Sequence, residues 1–153
     1  MSADEVTTEI DARPGTWIVW FSWMGVLVTS VPLVLWKARV HAAGGWFTVM
    51  SLVVFGLGIL VFVVCLVTAA YRTSQGDEIQ VGSLFALGTR APVATRRLLW
   101  LAFLGALAVA AFGASDNPFA VMIPMLQLGC VGLWAARHAA FPQRRATPWK
   151  GRR

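Results

Sequence analysis

"GWFTVMSLVVFGLGILVFVVCLVTAA", residues 45–70, runs for 26 positions without one charged side chain. A helix rises about 1.5 Å per residue, so this run exceeds the roughly 30 Å hydrocarbon core of a bilayer. It is long enough to cross with some tilt or to protrude. Reading outward, three more such runs appear: 17–36 before it, 98–114 and 118–136 after it. The last two are short and only just reach across. The whole chain agrees with this pattern. Its 153 residues are 58% hydrophobic and 13% charged, against a usual charged share of about 25%. The expectation is an all-α membrane protein whose four transmembrane helices make one domain, 17–136. An acidic tail, 1–16, precedes it; a loop, 71–97, divides it; a basic tail, 137–153, follows.

Four spans put both termini and the 71–97 loop on one side. That side carries eleven of the thirteen Lys and Arg residues; Lys37 and Arg39 are the other two. The excess places both termini in the cytoplasm, with the chain in a bacterial plasma membrane. The start, "MSADEVTTEIDARPG", is acidic where a signal peptide is basic, so no cleaved leader is expected. No lipidation signature appears at either end.

Ionisable residues inside spans mark ion paths, proton relays or substrate sites. None lies well within the four runs. Gln127 is the one strongly polar side chain there, and is expected to bond across helices. Thr29, Ser30, Ser51 and Thr68 can bond to carbonyls of the preceding turn. Cys65 and Cys130 stand apart without nearby His, as buried small side chains do, and the four span methionines read as core filler. No phosphate loop, catalytic triad or metal-spaced cluster is visible. The sequence therefore implies no enzyme, no cofactor and no metal. The net charge of +6 is mostly topology. Arg96 and Arg97 at the start of span three, and Arg144, Arg145 and Lys150 in the tail, are expected at anionic headgroups, with about 1 kcal/mol of attraction for each basic residue near the surface. Nucleic acid is a poor alternative, because no recognised nucleic-acid module accompanies the charge.

Small residues are the positive feature. Ala102, Ala106, Ala110 and Ala114 recur every fourth position in span three, with Gly105 and Gly113 beside them; span four adds Gly129 and Gly132. Such rows let helix backbones approach closely in lipid. They serve either the chain's own bundle or a docking partner helix, and the sequence leaves both open.

On the outer side, "WKARVHAAGGW" sets Lys37, Arg39 and His41 between Trp36 and Trp46. Interfacial anchoring is one reading. Contact with an anionic headgroup or partner is the other, with Lys37 and His41 spaced to share a helical face. Pro32 and Pro124 should bend spans one and four. "SDNPF" reads as a tight turn with a helix cap, Pro118 falling in the first turn. "EIQVGSLFAL" fits a short strand or an amphipathic stretch equally poorly.

The wording, rich in Ala, Val, Arg and Gly, suggests a bacterium of high genomic GC. The ending "GLWAARHAAFPQRR" after a fourth span resembles that of small four-span membrane proteins of actinobacteria, among them the accessory subunits of mycobacterial Mce-type lipid importers. The resemblance implies binding to permease subunits of an ABC-type fatty-acid importer, and it carries over no functional residue. A subunit of a respiratory complex would share these features. A self-contained oligomeric channel or lipid carrier would need a polar path, for which Gln127 and scattered hydroxyls supply little.

Overall fold

The computed structural model describes residues 15–86 and 92–143. The basic tail positions Arg144, Arg145 and Lys150, and the acidic residues of the N-terminal tail, lie outside them. Four helical spans are long and apolar enough to cross a membrane: Thr16–Lys37, Ala42–Ser74, Val93–Ala114 and Pro118–His138. The chain is an all-α, multi-pass membrane protein.

Helix α1 (Thr16–Lys37) follows Gly15, whose φ of 79° is left-handed. A Cβ there would lie 2.7 Å from the Trp134 ring, so only glycine suits both the backbone and the space. Two of its hydroxyls bond back along the helix: Thr29 Oγ1 donates to the Gly25 carbonyl at 2.9 Å, and Ser30 Oγ to that of Val26 at 2.7 Å. This removes their cost in an apolar interior. The helix runs through Pro32 as one continuous element.

Helix α2 (Ala42–Ser74) has 33 residues, about 50 Å at the usual rise. It outruns the 45–70 apolar run at both ends. Both α1 and α2 close with the same hydrogen-bonding pattern. In α1, Val40 N–H donates to the Leu35 carbonyl and Arg39 N–H to that of Trp36; in α2, Asp77 N–H donates to Arg72 and Gly76 N–H to Thr73. This is the Schellman ending, whose penultimate residue is left-handed and usually glycine. Gly76 meets that rule with φ 103°, whereas Arg39 adopts φ 72° with a full side chain.

A short helix, α3 (Val81–Ala86), occupies the stretch where strand and amphipathic segment were both open. Leu84 is buried from it, and Phe85 stacks on Phe62 of α2 at 5.9 Å. Helix α4 (Val93–Ala114) leads into the turn read from "SDNPF". Asn117 accepts the Phe119 N–H at 3.0 Å through its side-chain oxygen, and Pro118 opens a 3-10 turn, Pro118–Met122. Pro124 then starts α5 (Pro124–His138). At Pro124, where the sequence predicts a bend, span four changes from 3-10 to α geometry, and proline's missing N–H costs nothing at a helix start.

Helix α5 packs on α1, α2, α3 and α4, so the last span is the centre of the bundle. Helix α1 also packs on α2 and α4, which leaves those two at the far corners. Burial follows. The α5 span is the least hydropathic of the four and 67% buried; α2 is the most hydropathic and 22% buried. Lipid solvates the greasiest helix, and the mixed one is enclosed.

Candidate functional site

The small-residue row of α4 faces inward. Ala102 and Ala106 are fully buried, Ala110 and Gly113 nearly so. A Cβ on Gly113 would meet the Phe47 ring at 2.7 Å and Ala120 at 3.0 Å. Gly105 is half-buried near Val26, and Ala114 is exposed. The closest approach is between α2 and α5. A Cβ on Gly58 would lie 2.7 Å from the Leu126 backbone nitrogen, and one on Gly129 3.1 Å from the Gly58 carbonyl oxygen. Gly132 faces Cys65 Sγ and the Phe85 ring in the same way. These residues serve contacts within the chain's own bundle, and Ala114 alone among them points outward.

Gln127 lies on the short diagonal, fully buried between α1 and α5. Its Nε2 donates to the Ser22 carbonyl of α1 at 3.3 Å. Its Oε1 and Ser22 Oγ have no partner among the described residues. The contact ties two helices together, although a long hydrogen bond and two unmatched oxygens make it a weak tie.

At the end of the bundle away from the termini, Lys37 Nζ pairs with Asp116 in the turn after α4. The pair joins the ends of α1 and α4. Its hydrogen bond holds the Asp116 carboxyl below the usual carboxylate range, against an opposing desolvation and with a smaller contribution from Ser115. The expectation that Lys37 and His41 share a helical face is not met. Helix α1 stops at Lys37, the chain turns at Arg39, and His41 stands before α2. Arg39 and His41 are exposed, and neither side chain makes a hydrogen bond or ion pair among the described residues.

Beside this turn, residues of α1 and α2 line an open apolar cleft. The cleft between them is a groove of about 610 Å³ lined by Leu27, Val28, Val31, Pro32, Leu35, Ala43, Trp46 and Met50. Trp36 and Phe47, with ring centroids 5.9 Å apart, join the two helices beside it. Every lining side chain is apolar, and most are exposed.

At the other end, near the start of α4, Arg97 is exposed and Arg96 half-buried. The most connected cation there is Arg72, which sequence reasoning counted only as a topological charge. Its Nε donates to Asp77 at 2.7 Å, and its Nη1 donates to the carbonyls of Ala136 at 3.0 Å and Ala139 at 2.9 Å. The guanidinium also covers the Phe141 ring at 5.1 Å. Beside it, Glu78 N–H donates to the Pro142 carbonyl at 2.8 Å, and Asp77 bridges Gln143. Arg72 thus closes the carboxyl end of α5 and clips the following residues to the loop after α2. The only sequence signal was an Arg and an Asp flanking a Gly turn.

Among the described residues, no three His, Cys, Asp or Glu side chains gather where they could hold a metal ion. No family model, curated protein or solved structure matches this chain.

Proposed function

We propose that this chain is a non-catalytic accessory subunit of a multi-protein complex in a bacterial plasma membrane, bound to the helices of permease-type subunits of a lipid importer of the Mce class. The supporting observation is how the interior is used. Apart from exposed Ala114, the small residues of the α4 row and of α5 pack against neighbouring helices of the same chain, and Gln127, buried between α1 and α5, donates to a backbone carbonyl of that chain. What remains for other molecules is the outer surface. The least buried of the four spans is α2, on which Val53, Leu57, Leu60, Val64 and Val67 are all exposed. That surface is as apolar as lipid, so a partner helix would bind it by shape and packing. The choice of a lipid importer rests on the resemblance of the chain's ending.

Purifying the tagged chain from its native membrane in mild detergent tests this reading. Recovery with permease subunits supports it. Recovery with cytochrome subunits would move the chain to a respiratory complex, and a pure homo-oligomer would remove the subunit reading altogether.

Both termini belong in the cytoplasm on the distribution of Lys and Arg. Single cysteines at Ser74 and Gly45 test the orientation. A side chain at Gly45 enters open space, so the probe leaves the fold alone. Outside reagent should label the Gly45 position in intact cells; labelling at Ser74 instead would reverse the topology.

A further inference from the structure

We propose that the groove between α1 and α2 is a binding site for an anionic phospholipid of the surrounding bilayer, its acyl chain lying along Val28, Val31 and Met50 and its phosphate held by Arg39 and His41. The site is independent of whether the chain joins a larger complex.

Three observations meet at this place. The first is the groove itself. Its volume of about 610 Å³ falls within the roughly 300–1,000 Å³ range of small-molecule sites. Its walls carry long and branched apolar side chains, with Ala43 the one small residue among them. Close helix docking in lipid uses rows of small residues, so these walls suit a flexible chain better than a partner helix.

The second is charge. Leu35 and Ala43 line the groove, and Arg39 and His41 belong to the connection between them. The connection therefore lies at one end of an apolar trough and carries two exposed side chains that have no other polar partner among the described residues. Lys37 is neutralised by Asp116, which leaves Arg39 as the uncompensated cation of this turn. A guanidinium fork matches two phosphate oxygens, and an imidazole N–H can donate to a third.

The third is backbone strain. Arg39 holds φ 72° at a position where the equivalent ending of α2 has Gly76. A left-handed conformation disfavours any residue with a Cβ. An arginine in that conformation, in the turn at one end of the groove, is the kind of backbone outlier from which a role for the side chain can be inferred.

The test uses the full chain in phosphatidylcholine liposomes doped with a photoreactive-acyl lipid, either phosphatidylglycerol or phosphatidylcholine, at equal mole fraction. Cross-linked peptides are mapped by mass spectrometry. Adducts should concentrate in residues 27–35 and 43–50, with phosphatidylglycerol exceeding phosphatidylcholine about fivefold, as one well-placed cation gives near a membrane surface. The double variant Arg39→Gly/His41→Gln should bring that ratio close to one. Because glycine suits the backbone at 39, the variant keeps its fold, and its thermal midpoint should not fall. Val31→Trp, which fills the trough, should lower the adducts of both lipids there. Equal yields from the two lipids, adducts spread evenly along the outer face of α2, or an unchanged ratio in the double variant would each overturn the site. So would a disulfide-linked dimer of Val31→Cys in the same liposomes, which would assign the groove to a second copy.

Discussion

The backbone nitrogen of Leu126 lies 2.7 Å from where a Cβ on Gly58 would sit. Two helices can come this close only where one has no side chain. The contact fixes the separation of α2 and the central helix α5, and with it the bundle. Two residues away, Gly56 faces open space. Gly58→Ala should therefore lower the thermal midpoint in detergent markedly, because overpacking costs about 1–3 kcal/mol and here the obstacle is backbone. Gly56→Ala should leave it level or raise it slightly, since alanine favours the helix by up to about 1 kcal/mol. Equal effects from the two variants would refute the close crossing.

The alanine row of α4 makes a related prediction with a different readout. Ala106→Leu and Ala110→Leu place bulk inside the bundle, where both positions are buried. Each should destabilise the isolated protein, again by about 1–3 kcal/mol. A variant that stays as heat-stable as the parent would place the row outside the packed interior.

The Lys37–Asp116 pair predicts a response to acid. The Asp116 carboxyl titrates below its ordinary value of about 3.9 because Lys37 bonds its charged form. A depressed carboxylate stabilises the folded state above the unfolded value and loses that contribution as pH falls through the folded one. The thermal midpoint of the parent should drop more steeply as pH falls below about 4 than that of Asp116→Asn. The difference will be small, since both partners are exposed.

Arg72 predicts a local effect at the opposite end. Arg72→Ala removes the donor to Ala136 and Ala139 and leaves Asp77 without its partner. Limited proteolysis should then cut after α5 sooner than in the parent, with the spans intact. Hydrogen bonds from charged donors are worth about 1.5–3 kcal/mol, so protection at the end of α5 should fall by at least tenfold in hydrogen exchange. Arg72→Lys should rescue only part of it, because one ammonium cannot reproduce the planar fork. Unchanged cleavage and exchange would mean that the residues after α5 are held by other means.

Much of this architecture was legible in the sequence because lipid imposes simple rules. Long uncharged runs located all four spans, and Asn117 with Pro118 marked the turn before the last. The row from Ala102 to Ala114 was visible as a spacing, but its direction was not. Small residues look the same whether they meet a neighbouring helix of one chain or of another, and only the arrangement of all four helices separates the cases. Arg72 was hidden for a similar reason, since its acceptors lie 64 and 67 positions away. The Arg39 conformation was hidden because nothing in "WKARVHAAGGW" marks arginine as left-handed. The groove depends on how α1 and α2 sit against each other, which no periodicity encodes.

The central claim, that the chain works as a subunit through its outer surface, is tested most directly by photo-cross-linking in the native membrane. A photoreactive amino acid would be placed at Leu60, Leu104 or Val121, which face outward, and at Phe47, which is fully buried. At least one outward position should give an adduct with a different membrane polypeptide, identifiable as a permease-type subunit, and Phe47 should give only contacts within the chain. If every outward position yields lipid adducts or copies of the same chain and nothing else, the subunit account is contradicted.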